Sequence, residues 1–230
     1  MLSLPNQIQE RIRSDLTENG SFSNELLAVL EDDQRYWTLV DKNNSLNSNY
    51  VPHDLVDLTT GRPGLETNRM LRRAAYEAVK EMTEAAAIDG HTLTVLSAYR
   101  SFEYQGRIYI YWVLREGRME ADRISARPGY SQHQLGLAVD FNMFDNALAK
   151  TPEGIWLAAN ASRFGWSLSY PEGLEGVTGY SWESWHYRYV GIKLTQFIDR
   201  YFDGIQQYAL MFINEFNRNI LFSTGTGINF

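Results

Sequence analysis

Apolar positions recur along this chain with two different periods, and the switches between them outline its elements. Near the start, Ile8, Ile12 and Leu16 follow a four-residue step, and Leu26, Leu27, Val29 and Leu30 come after the Asn19-Gly20-Ser21 break. That spacing predicts a helical arm over residues 1–35. Residues 41–52 are polar and rich in turn formers, which reads as an extended but ordered loop. Between 67 and 89, Met70, Leu71, Ala74, Ala75, Ala78, Val79, Met82 and Ala86 form one broad stripe. The stripe predicts a helix, closed by Gly90 at the left-handed C′ position.

Residues 93–96 predict a short buried strand, and 102–116 a second helix ended by Gly117. Arg127-Pro128-Gly129-Tyr130 makes 118–132 read as irregular. A strand is expected over 135–143. Thr151 followed by Pro152 marks an N-cap and a proline at N1, opening a helix to Phe164 that stops at Gly165. Residues 166–170 and 185–190 are further strand candidates. After Gly191, Leu194, Phe197, Ile198, Tyr201, Phe202, Ile205, Tyr208 and Phe212 continue an aromatic helical pattern with a break expected at Gly204, and 218–230 has no clear period. Helices and strands mix without regular alternation, so the fold class is α+β: a small, mainly antiparallel sheet with flanking helices. The expected organisation is an arm at 1–37, a main domain at 38–203 and a C-terminal helical extension and tail at 204–230.

Composition narrows the function classes. With 230 residues, 44% hydrophobic and 21% charged, the chain can bury one sizeable core. A net charge of −7 leaves no electrostatic footprint for nucleic acid. There is no apolar run of membrane-spanning length. Cysteine is absent, so any metal must be held by nitrogen and oxygen. Met1-Leu-Ser-Leu-Pro5 has neither a basic n-region nor an apolar h-region, which leaves open a cytoplasmic protein or one whose leader has been removed.

Two of the four histidines stand in two compact motifs: Ser131-Gln-His133-Gln-Leu-Gly136-Leu-Ala138-Val-Asp140, and Glu183-Ser-Trp185-His186-Tyr-Arg188. Together they offer two imidazoles, a ligating carboxylate and a further carboxylate, the parts of a zinc hydrolase. His133 and Asp140 lie seven apart, an odd separation that would put them on opposite faces of one straight strand. To share a metal, His133 must precede the strand in a loop that Gly136 allows to turn. Glu183 and His186, three apart, face one side of a tight turn, with Trp182 and Trp185 shielding them. Each motif alone has a plainer reading: Asp140 capping a turn beside an exposed His133, or an aromatic core corner holding His186. His53 and His91 lack ligand-like neighbours and read as structural or solvated, and Asp54 and Asp57 as solvated loop carboxylates. Tyr99, Tyr130 and Tyr187 could line a cleft or serve as packing. Gly61-Arg-Pro-Gly64 lacks the ending of a phosphate loop, and no Gly-x-Ser-x-Gly nucleophile motif is present.

Taken jointly, Ser-x-His-x-x-Gly-x-Ala-x-Asp and Glu-x-Trp-His-x-Arg-Tyr-Val-Gly resemble the VanY-type zinc D-alanyl-D-alanine carboxypeptidases and their LD-carboxypeptidase relatives. The resemblance spans about 38–203 and includes Leu39–Asn44, Tyr50-Val-Pro52, and Tyr99-Arg100-Ser101 with Gln105. It implies one Zn²⁺ per chain at the sheet face, held by His133, Asp140 and His186. Glu183 would be the general base and Arg100 the group that polarises the scissile carbonyl. Ser101, Gln105 and Ser131 would line the pocket for the terminal D-alanine of peptidoglycan stem peptides. It also implies a site of action in the cell envelope, periplasm or extracellular space. Related outcomes are an LD-carboxypeptidase acting on tetrapeptides, an endopeptidase, or a non-catalytic peptidoglycan-binding module; retention of Glu183 and Arg100 argues against the last. Ser184 stands where the family usually has proline, and neither terminal extension is covered.

Overall fold

The computed structural model describes residues 4–18, 20–62 and 69–224. In order, α1 (Asn6–Glu18), α2 (Ser21–Leu30) and α3 (Gln34–Trp37) precede β1 (Leu55–Asp57), β2 (Met70–Arg72) and α4 (Arg73–Ile88). Then come β3 (Val95–Ser97), α5 (Phe102–Glu116), α6 (Arg118–Ile124), β4 (Ala138–Phe141) and α7 (Pro152–Asn160). The chain ends with β5 (Trp166–Leu168), α8 (Glu175–Thr178), β6 (His186–Tyr189), α9 (Ile192–Tyr201) and α10 (Gln206–Thr224). β1 and β2 pair antiparallel; β3, β4, β6 and β5 form the main sheet in that order, also antiparallel throughout. This is the expected α+β architecture.

Four expectations need correction. The helix predicted from Thr67 begins at Arg73, because Met70 and Leu71 pair with Asp57 and Val56 as β2. Both are fully buried, as a helix stripe would also require, so burial alone could not tell the two apart; Thr67 itself and Pro63-Gly64 lie outside the described residues. Residues 118–124 form α6 rather than an irregular run, with the proline and glycine falling beyond its end. α10 continues to Thr224 through the segment read as aperiodic, and the rest of that tail is outside the described residues. The strand expected over 135–143 is confined to β4, preceded by a 3-10 turn at Gln132–Leu135.

Two large apolar cores and a small cluster of Leu55, Met70 and Tyr99 form among the described residues. The larger packs the α4 stripe (Ala75, Ala78, Val79, Met82, Ala86) against Leu135, Leu137, Val139 and Phe141 around β4. The second joins Ile8, Ile12, Phe22, Leu26 and Val29 to Val190, Leu194, Phe197, Ile198, Ala209, Leu210 and Ile213, so the first and last helices share one core. Arg188, 0% exposed, ties that region to the sheet. Its Nη2 donates to the carbonyls of Tyr36 and Thr38 at 3.0 and 2.8 Å, and burial lowers its pKa to about 10.

Candidate metal centre

The main sheet brings the site together by register. In the antiparallel β4–β6 pair, Asp140 lies directly opposite His186, and Ser97 of β3 flanks it on the other side. Opposed residues in such a pair project to the same face with their Cβ atoms about 5 Å apart. His133 arrives from the preceding 3-10 turn, which Ser131 caps by accepting from the His133 N–H. Gly136 ends that turn with φ 69°, and a Cβ there would sit 3.0–3.2 Å from Leu55, Arg72 and Pro52. Only glycine meets both demands, the left-handed backbone and the missing side chain. The turn thereby resolves the odd spacing of His133 and Asp140.

Among the described residues, His133, Asp140 and His186 offer ligand atoms within 4.8 Å of one another, all buried. His133 Nε2 lies 3.3 Å from Asp140 Oδ2, and His186 Nδ1 lies 3.3 Å from Asp140 Oδ1. The two imidazole nitrogens thus approach the carboxylate from either side, one at each oxygen, close enough for all three groups to reach one small ion. His133 Nε2 and Asp140 Oδ1 are buried without hydrogen-bond partners, a costly state for polar atoms unless an ion satisfies them. Both rings are oriented from behind. His133 Nδ1 contacts the Ala98 carbonyl at 2.5 Å, and His186 Nε2 faces Gln132 Oε1 at 3.3 Å. In the neutral form that a metal ligand needs, each ring would therefore carry its proton on the nitrogen facing away from Asp140, leaving a lone pair on the other. The donor set of two imidazoles and a carboxylate suits zinc.

Charge state follows from burial and neighbours. Burial and the Arg100 cation push the His133 pKa down to about 4. For Asp140, burial favours the neutral form, but His133 and Arg100 outweigh it and hold the group well below the usual carboxylate range. Burial also opposes charge on His186, yet Asp140 and Glu183 raise it to about 9. Glu183 is raised, chiefly by burial and against the opposing pull of His186.

A cavity of about 960 Å³ opens on this cluster, lined by Arg100, Gln105, Ser131, Glu183, Trp182 and Trp185 among others. Glu183 Oε2 stands 3.2 Å from His186 Nδ1. Arg100 donates to Asp140 Oδ2 at 2.5 Å and to Ser97 Oγ at 3.0 Å. Gln105 donates to the Ala126 carbonyl at 2.7 Å, while its own buried Oε1 has no partner. Ser101 caps α5 by accepting from the Tyr104 N–H and is not a lining residue. Tyr99, Tyr130 and Tyr187 are absent from the wall; Tyr104, Tyr170 and Tyr180 line it instead. His53 is exposed, His91 packs near Trp156, and Asp54 pairs with Arg72 at 2.7 Å.

Two polar residues escaped sequence reasoning. Gln132 occupies a variable place within the first motif. Asn146 holds the second motif from a distance: its amide donates to the Trp182 carbonyl and accepts from the Ser184 N–H, both at 2.9 Å. Proline at 184 would lack that N–H, so the Asn146 clamp takes over a stiffening role. No helix among the described residues is long and apolar enough to cross a membrane.

Known proteins share the sequence pattern and fold of this chain. Residues 68–192 match the family model described as VanY, D-alanyl-D-alanine carboxypeptidase. The Bacillus subtilis (strain 168) protein YodJ is 33% identical over 196 residues, 79% of this chain and 72% of YodJ. The LdcB LD-carboxypeptidase structure aligns with a TM-score of 0.67 and 33% identity, covering 75% of this chain and 84% of LdcB. A mutant of the vancomycin resistance D,D-pentapeptidase VanY in complex with Zn(II) aligns at 0.63 and 31% identity, covering 77% of this chain and 99% of that one. The motifs, the buried His-Asp-His cluster on the sheet and these matches agree: the chain belongs to the VanY family of D-alanyl-D-alanine carboxypeptidases.

Proposed function

We propose that this protein is a zinc carboxypeptidase that removes the C-terminal D-alanine from peptidoglycan stem peptides. The observation that carries the reading is the buried cluster of His133, Asp140 and His186, with two unpartnered polar atoms, opening on a cavity beside Glu183. His133 Nε2, an Asp140 oxygen and His186 Nδ1 would hold the ion. Zinc bound there supplies a Lewis acid that polarises a carbonyl and acidifies water.

The protein's own groups do the rest. Glu183 takes a proton from the attacking water and delivers it to the leaving amine, which splits off as free D-alanine. Arg100 is pre-positioned by Ser97 and Asp140, so its charge faces the carbonyl oxygen as negative charge develops there, without reorganisation. The Ser131 hydroxyl on the wall would donate to the terminal carboxylate and Gln105 Oε1 would accept from the N–H of the terminal residue, and Ser101 acts at one remove by fixing the start of α5. Trp182 and Trp185 narrow access to water. Such a substrate lies outside the cytoplasmic membrane, which assigns the protein to the cell envelope or the extracellular space.

The likeness to LdcB favours a second specificity, LD-carboxypeptidase action on tetrapeptides. Synthetic penta- and tetrapeptides, each as free acid and as C-terminal amide, separate the readings. A site built to bind a carboxylate rejects the amide strongly, because its buried partners would go unpaired. D-alanine release from free acids alone is expected, with the preferred length assigning DD or LD specificity. Equal cleavage of the amides would indicate an endopeptidase, and zinc binding without any turnover a binding module.

A further inference from the structure

The polar contacts behind His186 lead out of the family-matched region. Gln132 Oε1 faces His186 Nε2 at 3.3 Å and accepts from Ser169 Oγ at 2.7 Å. Gln132 Nε2 donates to Gln206 Oε1 at 3.5 Å, and Gln206 Nε2 donates to the backbone carbonyl of Ser167 at 3.2 Å. Ser169 Oγ also lies 3.5 Å from Gln206 Oε1, but its single proton goes to the nearer oxygen of Gln132. Gln132, Ser169 and Gln206 are each 2% exposed. Gln206 opens α10, beyond residue 192 where the family match ends.

The direction of this chain is set at its far end. A backbone carbonyl can only accept, so Ser167 O dictates that the Gln206 amide presents nitrogen to β5 and oxygen to Gln132. Gln132 must then turn its nitrogen to Gln206 and its oxygen to His186. An acceptor facing His186 Nε2 requires the proton there, which leaves the Nδ1 lone pair on the side of Asp140 and Glu183. We propose that Gln206 is a positioning residue for the metal centre, setting the tautomer and ring angle of His186 through Gln132. The C-terminal helix is thereby part of the catalytic apparatus. It is well anchored for this: Gln207 Nε2 donates to Asp41 Oδ2 at 2.8 Å, and Ala209, Leu210 and Ile213 are buried in the second core. The inference rests on the zinc-peptidase reading above.

Zinc affinity, measured by competition with a chromophoric chelator, tests it. Gln206→Met keeps the side-chain volume but removes the amide, and should raise the zinc Kd about 10–100-fold, the usual effect of losing an outer partner of a ligand. Arg218→Gln, exposed toward the far end of the same helix, is the control; its zinc affinity should match wild type. In ¹⁵N-labelled, zinc-loaded wild type, His186 should carry its proton on Nε2. Gln206→Met should shift that resonance and leave the His133 Nδ1–H signal, bonded to Ala98, in place. Unchanged affinity in folded Gln206→Met, equal shifts at both histidines, or a His186 proton on Nδ1 would overturn the proposal. Should Gln206→Met fail to fold, Gln206→Asn withdraws the same amide by one methylene and carries the same expected and refuting outcomes. Wild type that binds no zinc defeats the zinc-peptidase reading and this inference with it; tight wild-type binding with an indifferent Gln206 variant defeats this inference alone.

Discussion

Replacing Glu183 with Gln isolates the proposed base. The side chain is 15% exposed, faces the cavity, and has Oε2 3.2 Å from His186 Nδ1. Its backbone is held independently of the carboxylate: Glu183 N–H donates to the Tyr170 carbonyl at 3.0 Å, and the next N–H goes to Asn146 at 2.9 Å. The substitution therefore changes chemistry without releasing the loop. Two stability effects oppose each other. The amide loses an attractive contact with His186 but also the cost of burying a carboxylate, which is what raises the Glu183 pKa. The net change should be within about 1 kcal/mol, or roughly 2–4 °C in Tm for a chain of this size. Zinc content should be retained, since the three ligand atoms lie elsewhere. Removing a positioned base costs about 10²–10⁴ in kcat, equivalent to roughly 2.7–5.5 kcal/mol on the barrier. The assay is D-alanine release from a free-acid stem peptide, with zinc quantified in the same sample. Zinc lost together with activity would make Glu183 a ligand. Near-normal turnover with zinc retained would show that another group accepts the proton, and the mechanism would be abandoned.

Two further outcomes are expected. Removing zinc with a chelator should lower Tm, because binding at 100-fold excess over Kd stabilises the fold by about 2.7 kcal/mol, or roughly 5–11 °C for this chain length; a scanning calorimetry trace indifferent to chelation and re-addition would contradict a stoichiometric site. Asn146→Ala removes both bonds that clamp Trp182 and Ser184, each worth about 0.5–1.5 kcal/mol, and should lower kcat more than zinc affinity; kinetics matching wild type would show that the loop needs no such clamp.

Much of the site was legible in the sequence because its requirements are local. The parity of His133 and Asp140 demanded a turn before the strand, and the 3-10 turn ending at Gly136 supplies it. The three-residue step from Glu183 to His186 appears as a tight turn closed by a 3.2 Å backbone hydrogen bond. Helix α5 has the predicted bounds, since its Ser101 cap and Gly117 stop are written in the sequence itself. Gly90, with φ 85°, ends α4 as its residue type suggested.

Other features were decided only when distant segments met. Met70 and Leu71 are apolar in either a helix stripe or a buried strand; pairing with Asp57 and Val56 chose the strand. The candidate ligands are neighbours because the sheet sets Asp140 opposite His186, a register that hydrophobic pattern does not specify for strands of four residues buried on both faces. Gln132, Asn146 and Gln206 carry no motif signal, since a glutamine or asparagine reads as surface until its partners are known. Gln206 lies 74 positions from Gln132 and 39 from Ser167. Residue type and short-range periodicity determined which groups could do chemistry and on which local elements they ride. Long-range packing decided which buried polar atoms face one another, because a hydrogen bond's direction exists only once both ends are in place.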